Sequence, residues 1–140
     1  MKKNKLIDTA IEYRERAYAP YSNFKVGAAV EAGSGEVYGG CNVENTSYGL
    51  TICAERAAVA RAVAEGERVI KKVAVVTDDL QVSMPCGACR QVIEEFGQDA
   101  DVYCCDIENN CKTYKATQLL PYYNKQNVFK NKLDDLKKKG

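Results

Sequence analysis

The feature that most restricts the fold is an alternation of strand and helix patterns through the middle of the chain. Residues 36–42 are β-prone, residues 53–65 form an Ala-rich helical stretch closed by Gly66, and Val73 to Val76 is a short β-branched apolar run. A second helical pattern follows over residues 86–96, opened by Pro85 and stopped by Gly97, and residues 102–105 return to strand character. Strand, helix, strand, helix, strand requires a partly parallel sheet with helices against its faces. Around this centre, Leu6, Ile7, Ala10, Ile11, Arg14, Ala17 and Tyr18 predict an amphipathic helix over residues 4–18, ended by Pro20. Residues 24–31 pair with 36–42 as a hairpin around Gly33-Ser34-Gly35, and residues 112–114 add a last strand beyond a turn at Asn109-Asn110. The expectation is an α/β fold: a three-layer α/β/α sandwich on a mixed five-stranded sheet. A chain of 140 residues suits one such domain.

Residue usage narrows the chemistry further. Histidine is absent, so no imidazole serves as base, nucleophile or ligand. Seven cysteines without a secretory signal point to a reducing compartment, where thiols are metal ligands or core residues rather than disulfide partners. The expected location is the cytoplasm. The formal net charge of +1 argues against nucleic acid as a partner, because phosphate-tracking surfaces carry a clear basic excess. No stretch approaches the roughly 20 apolar residues of a membrane span. The Lys137-Lys138-Lys139 tail reads as a solvated end.

Three cysteines stand out by position. Cys53, in Cys53-Ala54-Glu55, and the pair in Pro85-Cys86-Gly87-Ala88-Cys89-Arg90 all lie at predicted helix starts. The partial positive charge there favours thiolate, the form that binds zinc. A Cys-x-x-Cys turn can place two sulfurs on one ion, and the third arrives from another helix. Three protein ligands leave a fourth tetrahedral position for water, as in a catalytic zinc site. Glu55 follows Cys53 by two residues, about 200° around a regular helix, but first-turn side chains lean toward the N-terminus and can share a metal beyond the helix end. An alternative is a structural site completed by Cys41, Cys104, Cys105 or Cys111, as in a zinc-stapled binding module.

The chain closely resembles the zinc-dependent cytidine deaminases in their short form with three cysteine ligands. The resemblance spans roughly residues 5–121 and rests on Ala19-Pro20-Tyr21-Ser22-Asn23-Phe24-Lys25-Val26-Gly27-Ala28-Ala29, Asn42-Val43-Glu44-Asn45, Cys53-Ala54-Glu55-Arg56, the Pro85 to Arg90 motif and Leu119-Leu120-Pro121. It implies one Zn²⁺ per subunit on Cys53, Cys86 and Cys89, with hydroxide on the metal attacking C4 of the base and Glu55 shuttling protons. Three thiolates leave the zinc group net negative, and the resemblance gives Arg56 the role of drawing that charge back through the ligand sulfurs. It also implies hydrolytic deamination of free cytidine and deoxycytidine in pyrimidine salvage.

For the substrate, the resemblance assigns the ribose hydroxyls to Asn42 and Glu44, the base and sugar to Phe24, and a backbone contact with the base to Ala54. Tyr48 matches a position that reaches a neighbouring subunit's site, in a homotetramer. Two departures stand out. Met84 occupies a place where relatives often carry a small polar residue, and Pro121 is followed by Tyr122, Tyr123 and Asn124, so Tyr122, Tyr123 and Phe129 all compete as the ring covering the site. Residues 1–121 are thus read as the catalytic domain and 122–140 as a C-terminal extension able to form a loose helix. A deaminase of another substrate, an edited nucleic-acid base or a nucleoside antibiotic, is the rival reading; charge balance and Glu44 oppose the nucleic-acid version.

Overall fold

The structure, a computed structural model, describes residues 4–122. Its elements run α1 (Lys5–Arg14), β1 (Gly27–Ala32), β2 (Val37–Cys41), α2 (Ala54–Ala64), β3 (Ile70–Thr77), α3 (Gly87–Phe96), β4 (Asp101–Asp106), β5 (Cys111–Lys115) and α4 (Ala116–Leu119). Five strands form one mixed sheet in the order β2-β1-β3-β4-β5, antiparallel everywhere except between β3 and β4. That parallel pair is bridged by α3, the crossover that the alternating pattern demands.

The sheet separates two cores. Ala28, Val30, Val73, Val75, Val102 and Cys104 face α2, α3 and α4, while Ala29, Ala74, Val76 and Cys105 face α1. Alternate residues of each strand therefore serve opposite layers, and the three-layer expectation holds. β3 is buried on both faces from Val73 onward, which is why its run lacks polar alternation.

Several boundaries differ from the sequence reading for local reasons. Asn4 caps α1, its side chain accepting from the amides of Leu6 at 3.0 Å and Ile7 at 3.3 Å. The helix stops at Arg14 rather than 18 because the backbone of Tyr18 bridges the chain around Val43: its amide donates to Asn42 at 3.0 Å and its carbonyl accepts from Glu44 at 2.9 Å. β1 starts at Gly27 rather than 24, since the backbone at Phe24 and Val26 is engaged by the Asn42 side chain. The expectation of free thiols throughout is corrected at one place: Cys105 and Cys111 form a disulfide. They stand opposite each other across antiparallel β4 and β5 with Cα atoms 4.1 Å apart, so their side chains meet.

Glycine sets how closely the metal-bearing layer approaches the sheet. A Cβ on Gly40 of β2 would lie 2.5 Å from the amide nitrogen of Ala58 and 2.7 Å from the carbonyl of Ala54. The first turns of α2 rest directly on that strand. Among the described residues, no helix is long and apolar enough to cross a membrane.

Candidate metal centre and substrate cavity

Cys53 is the N-cap of α2 and Cys86 the N-cap of α3, and neither side chain is spent on capping its helix. Cys89 follows in the first turn of α3. The fold brings the three sulfurs within 4.8 Å of one another, with 3.9 Å between Cys53 and Cys86 and 3.5 Å between Cys86 and Cys89. Zinc–sulfur bonds of about 2.3 Å at tetrahedral angles require sulfurs about 3.8 Å apart, so the donor set fits zinc. Among the described residues no other Cys, Asp or Glu joins the cluster. The alternative of a fourth cysteine ligand is thereby removed: Cys105 and Cys111 bond to each other, and Cys41 and Cys104 lie outside the group.

The electrostatics favour negative charge on sulfur. Cys53 is drawn down to about 5, first by the Cys89 thiol, against the cost of burial, and then by Arg56 and Cys86. Cys89 moves up because of its hydrogen bond with the Cys53 sulfur and its burial. Arg56 donates to the Cys53 sulfur at 3.5 Å and to the Thr51 carbonyl at 3.2 Å. That contact also raises the guanidinium's own pKa.

Glu55, in the first turn of α2, is 5% exposed. Burial pushes its carboxyl from 4.5 up to about 7, with Cys53 adding to the rise and a hydrogen bond from its own amide opposing it. Glu55 in turn helps burial hold Cys104 at about 11, a neutral thiol beneath the site.

These groups open on a cavity of about 230 Å³ lined by Phe24, Val26, Asn42, Thr51, Cys53, Ala54, Glu55, Val75, Met84 and Cys86. A second depression, bounded by Tyr21, Ser22, Glu44, Tyr48 and Thr51, adjoins it through Thr51. The predicted residues therefore divide: Phe24, Asn42 and Ala54 share the cavity with Glu55 and two of the sulfurs, whereas Glu44 and Tyr48 line the neighbouring depression. The largest cavity described, about 510 Å³, sits at the other end of α3 and contains none of them.

Some side chains do more than sequence reasoning assigned. Asn42 is buried, its Oδ1 accepting from the Val26 amide at 2.9 Å and its Nδ2 donating to the Phe24 carbonyl at 2.8 Å. An amide has two donors and two lone pairs, so one of each is left for a ligand. Glu44 accepts from the amides of Tyr21 at 3.0 Å and Ser22 at 3.1 Å and from the Ser22 hydroxyl, and this last bond chiefly lowers its pKa. As the first residue of α2, Ala54 has an amide without an intrahelical acceptor. Tyr48 is 77% exposed and meets Tyr21 edge-on at 6.4 Å.

Sequence reasoning missed Thr51, Val26 and Val75 as lining residues, because only tertiary packing brings them to the cavity. Arg90 has a role that its place in the Cys-x-x-Cys motif does not reveal. It donates to the carbonyls of Pro85 at 2.8 Å and Leu119 at 3.0 Å, tying the Cys-x-x-Cys turn to the Leu119-Leu120-Pro121 segment. Of the three rings competing to cover the site, Tyr122 is fully exposed, and Tyr123 and Phe129 lie outside the described residues.

Comparison with known proteins agrees with this geometry. Residues 1–105 match the family described as the cytidine and deoxycytidylate deaminase zinc-binding region. A cytidine deaminase of Halalkalibacterium halodurans is 46% identical over 122 residues, 86% of this chain and 92% of its own. One of Sporosarcina psychrophila is 47% identical over 118 residues, 84% of this chain and 87% of its own. The crystal structure of cytidine deaminase from Burkholderia pseudomallei superposes with a TM-score of 0.83 at 46% identity, covering 89% of this chain and all of that one.

Proposed function

The chain belongs to the zinc-dependent cytidine deaminases, and we propose that it hydrolyses free cytidine and deoxycytidine to uridine and deoxyuridine with release of ammonia. The observation that carries this reading is a buried carboxyl, Glu55, on the wall of a nucleobase-sized cavity beside three convergent thiols. Cys53, Cys86 and Cys89 hold one zinc per subunit. Zinc, when bound there, acts as a Lewis acid that acidifies water and makes it nucleophilic at neutral pH.

Glu55 moves the protons. Burial raises the proton affinity of its carboxyl, which suits a group that must both take up and give back protons. It takes one proton from the water and delivers it to N3 as the oxygen bonds to C4, then takes the second from the resulting hydroxyl and delivers it to the amino group as the C4–N bond breaks. Ammonia leaves and a carbonyl remains. Arg56 tunes the acidity of the site by withdrawing charge through the Cys53 sulfur.

Phe24 packs on base and sugar, the Ala54 backbone contacts the base, and Asn42 and Glu44 take the ribose hydroxyls. A carboxylate at Glu44 welcomes hydroxyls and repels phosphate, which favours nucleosides over nucleotides and nucleic-acid strands. The reaction belongs to pyrimidine salvage in the cytoplasm. Residues 1–121 form the catalytic domain and 122–140 an extension to it. A homotetramer in which Tyr48 reaches a neighbouring site is supported by exposed apolar side chains beside the site: Tyr18, Tyr21, Val43, Tyr48, Leu50 and Ile52.

The test measures zinc per chain and follows cytidine, deoxycytidine and CMP by ultraviolet absorbance and ammonia release. One zinc, turnover of both nucleosides and inert CMP are expected. A metal-free active protein, or CMP as the preferred substrate, overturns the reading.

A further inference from the structure

We infer that Met84 sets the specificity of the site at C5 of the pyrimidine ring, excluding substituents larger than hydrogen. The inference deepens the deaminase reading and rests on it. Met84 lines the same cavity as Phe24, Ala54 and Glu55. It is 37% exposed, with its sulfur 3.8 Å from that of Cys104, a fully buried residue of β4.

A methionine on a free loop would yield to a ligand, since its side chain bends easily. Here the backbone is held on both sides and the sulfur rests on Cys104. Before it, the Ser83 hydroxyl is buried, meeting Thr77 at 2.8 Å and donating to the Cys105 carbonyl at 2.6 Å. After it, buried Pro85 restricts the backbone of Met84 itself, and the Pro85 carbonyl accepts from Arg90 at 2.8 Å. Beneath it stands Cys104.

The chemistry of the base identifies what this wall faces. N1 carries the sugar, while O2, N3 and C4 need polar partners or the metal. Only C5 and C6 are carbon–hydrogen positions that match an apolar thioether. Of these, C5 adjoins the reacting carbon, and Met84 immediately precedes the Pro85-Cys86 segment that delivers a zinc ligand. A methyl group on C5 must therefore displace this side chain from its contact with Cys104.

The experiment compares kcat/KM for cytidine and 5-methylcytidine in the parent and in Met84→Ser, Met84→Ala and Met84→Leu, with zinc content measured for each. Dissociation constants for uridine and 5-methyluridine give a readout independent of turnover. Serine and alanine should raise the preference for the methylated ligand by roughly tenfold or more in both measurements, while leucine keeps the parent ratio. Ratios within about twofold of the parent in the zinc-loaded Ser and Ala variants overturn the inference. A parent protein inert toward cytidine removes the deaminase reading, and the inference with it, a result that no Met84 variant can mimic.

Discussion

At the scale of single residues, the site is built from groups whose protonation is set by burial and by one another. Glu55→Gln should retain zinc and lose turnover by about 10²–10⁴-fold, measured with cytidine and by metal analysis. In the chelated protein the same carboxyl makes a separate prediction. Its value rises from 4.5 to about 7 on folding, so between those limits the unfolded chain has lost a proton that the folded chain keeps. Raising the pH through that window removes stability, on the order of 3 kcal/mol over the full span. Glu55→Gln lacks this loss, and urea unfolding of the two chelated proteins should show the variant gaining on the parent from about pH 4.5 to about 7. Arg56→Gln should lower turnover about tenfold and shift the pH profile upward, because the ligand sulfurs keep more of their charge. An unchanged profile would mean that the arginine serves only the Thr51 carbonyl. The thiols and Glu55 could be read from the sequence because helix starts announce themselves in Cys53-Ala54-Glu55 and Pro85-Cys86. The hydrogen bonds that occupy Asn42 and Glu44 could not, since their partners lie 16 to 23 residues away along the chain.

At the scale of elements, the position of α2 decides whether Cys53 and Glu55 reach the cavity. Gly40 is the strand residue on which that helix rests, and Gly40→Ala has backbone rather than a flexible side chain to push against. The substitution should cost about 1–3 kcal/mol of stability and weaken zinc binding, checked by urea unfolding and by competition with a chromogenic chelator. A fully stable variant with parental zinc affinity would show that α2 is positioned by something else. Periodicity predicted all five strands and the three long helices but misjudged ends. Ala17 and Tyr18 continue the apolar spacing of α1, yet the Tyr18 backbone joins the bridge with Val43. The four residues of α4 and the short 3₁₀ turns at Tyr48–Leu50 and Leu80–Val82 are too brief for any period to register.

For the whole molecule, metal and assembly should both appear as stability. Chelation should lower the unfolding midpoint, since each tenfold excess of free zinc over its dissociation constant contributes about 1.4 kcal/mol. Tyr48→Asp places a charge on the most exposed ring of the apolar strip and should shift sedimentation from tetramer toward smaller species. If the protein runs as a monomer to begin with, the shared-site proposal fails. Fold class was legible because a strand-helix alternation admits few topologies. The tetramer proposal has no such support in the pattern, because an exposed tyrosine looks the same in sequence whether it meets water or a neighbour. Cys53 and Cys86 stand 33 residues apart, on separate helices that converge only after β3 has taken its place between β1 and β4. A chain still short of that arrangement lacks the three-sulfur site. Full-strength capture of zinc therefore reports a finished fold.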